Sequence, residues 1–279
     1  MTYILSSVLV TICPLLLAAM GGLFSNIGGT LNIALEGLML LGSFTGYLFC
    51  WYTGSLFLGL LCSSALTAAA AALLALIVFR LKAQPFIAGL ALNLLFGGLC
   101  PILSGRLFGT EGVLSLNGIP APSAALFSVL TAVMTALTLV ILFMTPFGLR
   151  LRACGMNRDA VLCAGLSPER LEIRSWSVCG ALCALAGSAV SLQLGSYVPG
   201  ATSGKGWIAL VIVFLGGNRP LGLAGAAMVF ALAEALGNHL QGLWSIPAEY
   251  ILALPYILTL TVLVIFSAVG RRRKSFKSA

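Results

Sequence analysis

SLFLGLLCSSALTAAAAALLALIVF, residues 55–79, runs from end to end without a charged side chain or a proline. A helix rising 1.5 Å per residue needs about 20 such residues to cross about 30 Å of hydrocarbon, so this run reads as a membrane-spanning helix. Residues 124–144 and 251–268 are likewise long apolar runs without charge, the second with Pro255 inside it. A transmembrane barrel strand would need only about 10 residues and would alternate polar with apolar positions, which these runs do not do. The whole chain of 279 residues is 60% hydrophobic and 8% charged, a balance that excludes an ordinary water-soluble domain. The fold class is therefore all-α, a polytopic transmembrane helical bundle.

Gly, Pro and charge clusters divide the chain into apolar segments near 4–20, 31–52, 55–79, 85–103, 123–145, 174–195, 207–217, 220–240 and 249–269. That predicts about nine crossings, within a bundle of about 8–10 helices. The amino end lacks a basic region and a small-residue cleavage site, so residues 4–20 are expected to stay as the first helix. The stretch GGLFSNIGGT, residues 21–30, is expected to be the broken or re-entrant segment. Unwound backbone at membrane depth is tolerated only where protein or a water-filled cavity surrounds it.

The net charge of +8 is concentrated at Arg80 and Lys82, in residues 146–175, and in the tail Arg271, Arg272, Arg273, Lys274 and Lys277. Lys and Arg favour the cytoplasmic side. Placing these groups and Arg219 inside agrees with alternate crossings and leaves Arg106 and Lys205 outside. The C-terminus is then cytoplasmic, and residues 105–122, 195–205 and 241–248 lie outside with the N-terminus. Residues 1–270 are expected to form the transmembrane domain and 271–279 a basic cytoplasmic tail. Such a tail reads as an orientation signal beside anionic headgroups of the lipid bilayer, not as a nucleic-acid site.

A pump needs an energy source, and none is visible. Residues 199–206 (PGATSGKG) lack the first glycine of a phosphate loop and the Ser or Thr after Lys205. No G-x-S-x-G or H-E-x-x-H occurs, and His239 is the single histidine, so little acid–base equipment supports an enzyme. Eight cysteines lie mostly within apolar runs and never as C-x-x-C; Cys179 and Cys183, one turn apart, read as packing residues rather than metal ligands.

The longest polar stretch is residues 145–176 (TPFGLRLRACGMNRDAVLCAGLSPERLEIRSW). Asn157 can cap a short helix from Arg158 to Ala164 that stops at Gly165. A rigid surface helix between two spanning helices suits docking and force transfer from a cytoplasmic partner, whereas a plain solvated connector needs no cap. The run Asp159-Ala160-Val161-x-x-x-Gly165 resembles the coupling loop of ATP-binding-cassette importer permeases, with Asp for Glu and Val for the second Ala. The wider run 147–165 resembles permeases for nucleosides, simple sugars and riboflavin, and the resemblance extends through residues 32–39, 91–94, 204–209, 217–222 and 255–258. Arg158 stands where that family commonly has proline.

The resemblance implies that Gly155, Asn157, Arg158, Asp159, Ala160 and Gly165 form the contact with a separate cytoplasmic ATPase, which would hold ATP and Mg, leaving no cofactor in this chain. It also implies a second permease subunit, sister or identical, and an extracytoplasmic substrate-binding lipoprotein at a bacterial inner membrane. Nucleoside is the first expectation for the solute, riboflavin the second and simple sugar the third.

Candidates for the solute pathway are few. In residues 25–39 paired glycines interrupt an apolar region, and Asn32 and Glu36 would share one helix face, four residues apart. Broken helices expose backbone amides that bind polar solutes, although Glu36 serves equally as a cap for a neighbouring helix. Asn93, Gln193, Trp207, Glu234 and His239 are further polar or aromatic groups in apolar segments, suited either to amide hydrogen bonds and stacking or to bonding between helices. Glu36 and Glu234 also motivate a rival reading, a proton-coupled carrier.

Overall fold

The structure, a computed structural model, describes residues 2–110, 112–115 and 122–243. Ten α-helices occur among them: α1 Thr2–Ile27, α2 Leu35–Thr53, α3 Leu56–Arg80, α4 Pro85–Phe108, α5 Ala124–Met144, α6 Pro146–Met156, α7 Arg158–Cys163, α8 Pro168–Gln193, α9 Lys205–Leu215 and α10 Pro220–Leu243. Two short strands, β1 Leu114–Ser115 and β2 Ser196–Tyr197, pair antiparallel with Leu114 opposite Tyr197. Proline opens α4, α6 and α8, where its missing N–H and fixed φ do no harm. Left-handed glycines close α2 at Gly54 and α4 at Gly109. The expected span at 249–269, the loop at 241–248 and the basic tail fall on residues outside the described set, apart from 241–243 at the end of α10.

Among the described residues six helices are long and apolar enough to cross a membrane, fewer than the segmentation predicted. The stretch expected at 207–217 becomes α9, 11 residues long, and at 1.5 Å per residue it spans about 16 Å and cannot cross. α2 starts only at Leu35, behind an unwound connection at residues 28–34. The first helix is longer than expected and runs unbroken through Gly21 and Gly22. The break therefore lies after that glycine pair and not on it. A Cβ at Gly21 would stand 2.9 Å from the Cys179 carbonyl oxygen of α8, and one at Gly22 3.0 Å from Val213 of α9. Those two glycines serve close packing.

α8 is the central helix, with 83% of its most apolar window buried against 22% for α4 and for α5. Small residues let its backbone approach its neighbours. A Cβ at Gly187 would lie 2.0 Å from the Met39 carbonyl oxygen, and one at Gly42 2.4 Å from Cα of Ala184. The Gly180-x-x-x-Ala184 pattern thus serves two partners: Gly180 packs on Thr67, Ala68 and Ala71 of α3, while Ala184 packs on α2. Hydroxyls stitch the same seam, with Ser188 Oγ donating to the Gly42 carbonyl at 3.0 Å, Ser191 Oγ to the Ser43 carbonyl at 3.0 Å, and Thr45 and Ser63 hydroxyls 2.8 Å apart. In hydrocarbon such bonds and close contacts hold helices together where no hydrophobic drive exists between them.

The connections sort to two ends. The β1–β2 pairing joins the connection after α4 to the one after α8. At the other end the start of α8 meets the break after α1, since Trp176 Nε1 donates to the Thr30 carbonyl at 3.1 Å, and Asn26 bonds Asn218 between α9 and α10.

Candidate functional site

Two interruptions of the helical path meet inside the bundle: the break before α2 and the N-terminus of the short α9. Asn32 is fully buried but precedes α2, so it does not share a helix face with Glu36 as its spacing had suggested. Its own N–H donates to Ser25 Oγ at 3.1 Å, and its Oδ1 accepts from Ala34 N at 2.9 Å, a side-chain turn that reverses the chain after α1. Asn93, reaching in from α4, accepts from Gly37 N at 2.7 Å and donates to the Ile33 carbonyl at 3.1 Å. It thereby satisfies one amide of the first turn of α2 and one carbonyl of the break, groups that cannot be left bare in an apolar bundle.

Glu36 lies in the first turn of α2 but reaches the start of α9. Its Oε1 accepts from the Thr202 hydroxyl at 2.5 Å and from Gly204 N at 3.1 Å, and its Oε2 from Gly206 N at 2.7 Å. One carboxylate therefore sits at the N-terminal ends of two helices. Gly206 is needed for this approach because a Cβ there would lie 2.5 Å from Cα of Glu36. Thr202, Gly204 and Gly206 were not singled out from sequence as Glu36 partners; the glycine pair flanking Lys205 was the only available signal.

Lys205 pairs with Glu234 of α10, so Glu234 is engaged by a cation of the neighbouring helix. Gln193 ends α8 with its Nε2 buried and without a hydrogen-bond partner among the described residues. Trp207 projects from the first turn of α9, 38% exposed. Gln193, Lys205 and Glu234 border one cavity, whereas Asn32, Glu36 and Asn93 form the separate joint just described. His239 lies on α10, beyond Glu234.

At the far end residues 146–175, expected as a surface loop with one short helix, hold α6, α7 and the first turns of α8. Asn157 caps α7 as predicted, its Oδ1 accepting from Ala160 N at 3.1 Å, and Gly165 ends the turn with φ +75°. Asp159, Ala160, Leu162 and Cys163 are exposed while Val161 is buried, so α7 rests on one face and presents the other. Two contacts fix it. Arg158 pairs with Glu172 of α8 at 3.1 Å, and Gly155 abuts the end of α1 so closely that a Cβ would be 2.0 Å from the Ile27 carbonyl oxygen. The neighbouring Cys154 thiol is pushed up, first by burial and then by the Glu172 charge, with Arg158 opposing. It is thus α6, joined to the outward-facing α7 at Asn157, that is wedged against the end of α1 where the break toward α2 begins.

Residues 4–263 match a family described as the branched-chain amino acid transport system / permease component. The chain is 30% identical to the guanosine ABC transporter permease protein NupQ of Bacillus subtilis (strain 168), covering 97% of this chain and 93% of that protein. It is 27% identical to the nucleoside ABC transporter permease protein NupC of Lactococcus lactis subsp. cremoris, covering 94% and 92%. A solved ABC transporter of the metal-chelate type, in an inward-facing conformation, superposes with a TM-score of 0.58 at 19% identity, covering 94% of this chain and 85% of that one, a likeness of fold.

Proposed function

Because this chain belongs to the family of branched-chain amino acid transport system permease components, as the membrane-spanning permease of an ABC importer, we propose that the solute it passes is a nucleoside. Relatives named for guanosine and nucleoside transport, aligned over nearly the full chain, support that substrate; riboflavin and simple sugars rank below it. ATP and Mg belong to a separate cytoplasmic ATPase that docks on α7. A second permease subunit completes the pathway and an extracytoplasmic binding lipoprotein delivers the solute. The membrane is the bacterial inner membrane, with α7 and the C-terminus in the cytoplasm.

The observation that carries the mechanism is the seating of α7. A helix capped at Asn157, exposed on one face and continuous with α6, whose Gly155 is wedged against the end of α1, can pass displacement through α6 to the break and so to α2. Asn93 ties the break to the first turn of α2 and Glu36 ties α2 to the start of α9, so a shift at the break moves both helices together. The proton-coupled rival loses its footing here, because Glu36 is consumed in capping and Glu234 in an ion pair.

The test is guanosine uptake into proteoliposomes containing this chain, its sister subunit, the ATPase and the binding protein. Uptake is expected to require ATP and to stop when residues 155–165 are scrambled. Uptake driven by a pH gradient without the ATPase would refute the proposal.

A further inference from the structure

We infer that the cavity between α1, α8, α9 and α10 is a ribosyl-binding subsite, in which Glu234, Lys205 and Gln193 meet sugar hydroxyls. The inference rests on the nucleoside reading above. The cavity measures about 290 Å³, near the lower end of ligand-sized pockets, and its apolar walls include Val10 and Pro14 of α1 and Val190 of α8.

Three polar groups from three elements converge on it. Glu234 and Lys205 pair across it, so the site is neutral as a whole and a charged solute would add an uncompensated charge in an apolar surrounding. Gln193 Nε2 is a buried donor with no partner among the described residues, and such groups are rare because leaving them unpaired is costly. It awaits an acceptor. A vicinal diol supplies what this trio lacks: its oxygens accept from the amide and the ammonium, and its hydroxyls donate to the carboxylate. An acidic side chain on a ribose hydroxyl is the same solution that dinucleotide-binding folds use. A cavity between α1, α3, α5 and α8, about 340 Å³, is lined almost wholly by apolar side chains such as Leu60, Leu130 and Met134 and offers no comparable set.

The experiment is equilibrium binding of radiolabelled guanosine and of D-ribose to the purified full permease complex in detergent. Gln193→Leu, and the paired variant Lys205→Met with Glu234→Leu that leaves no orphan charge, are each expected to weaken guanosine binding at least tenfold. Competition by 2′,3′-dideoxyguanosine should be at least tenfold poorer than by guanosine. Gln193→Leu should melt no lower than the parent, since it removes an unpaired buried donor; a purely structural Gln193 would give the reverse, a lower melting point with intact binding. Equal guanosine binding in both variants, effective competition by the dideoxy compound, or no binding of either probe by the parent would overturn the subsite. Uptake by the parent complex separates this from the substrate reading. If guanosine uptake persists unchanged in the variants, the subsite falls and the nucleoside reading stands. If no nucleoside is taken up but ribose binds with the same variant pattern, the cavity stands as a sugar site and the nucleoside reading falls.

Discussion

A methyl group on Gly155 would lie 2.0 Å from the Ile27 carbonyl oxygen, and the obstacle is backbone that cannot swing aside. Gly155→Ala is therefore expected to cost about 1–3 kcal/mol by overpacking, read as a lower melting temperature of the purified chain, and to reduce ATP-coupled uptake more than a like change at the unobstructed helical Gly225. An undiminished melting temperature would refute the wedge. Cysteine reactivity probes the same corner. Cys154 is buried, and both burial and Glu172 raise its pKa, so near neutral pH it stays a neutral thiol; Cys163 on α7 is exposed. Because the thiolate is the nucleophile, maleimide should modify Cys163 at least tenfold faster than Cys154 between pH 7 and 8, followed by mass spectrometry. Comparable rates would contradict the seating of α6. Residue identity alone did not separate the roles of glycine: Gly21 and Gly22 pack while Gly29, with φ +100°, turns the chain, and the difference lies in what stands opposite each.

At the scale of elements, the short α7 depends on its cap and the joint between α2 and α9 depends on one carboxylate. Asn157→Ala removes the acceptor for Ala160 N and should cost about 1 kcal/mol, fraying a six-residue helix, whereas Asn157→Ser should retain it. The measurement is ATP hydrolysed per solute imported, expected to rise only in the alanine variant. Glu36→Ala strips the acceptor from the Thr202 hydroxyl and from two amides of α9. At about 1–3 kcal/mol for each unsatisfied buried group, a fall of several degrees in melting temperature is expected. A melting temperature equal to the parent's would show that Glu36 is no cap. The α7 cap was legible because Asn157, Ala160 and Gly165 are sequence neighbours. The α9 cap was not, because its acceptor comes from another helix far away in the chain and only packing makes them meet.

For the whole molecule, the connections fall at two ends, and the ends face different compartments if α7 meets the ATPase. Cysteines placed at the paired positions Ser115 and Ser196 should cross-link under mild oxidation, as opposed positions of an antiparallel pair lie within disulfide reach. In sealed right-side-out vesicles, a membrane-impermeant maleimide should label Ser115→Cys and spare Cys163; the opposite pattern would invert the proposed orientation. By itself the sequence determined the all-α class, the spanning helices and the capped α7, because in hydrocarbon each helix must satisfy its own backbone along its own length, and caps and turns act between neighbours. Only the tertiary structure decided that the chain unwinds at 28–34 and not at the preceding glycines, that α9 stops short of a crossing, that Glu36 serves α9, and that Lys205, Glu234 and Gln193 share a cavity. Those outcomes depend on which distant side chains or backbones are brought within a hydrogen bond or a contact of each other, and that is fixed by how the helices pack.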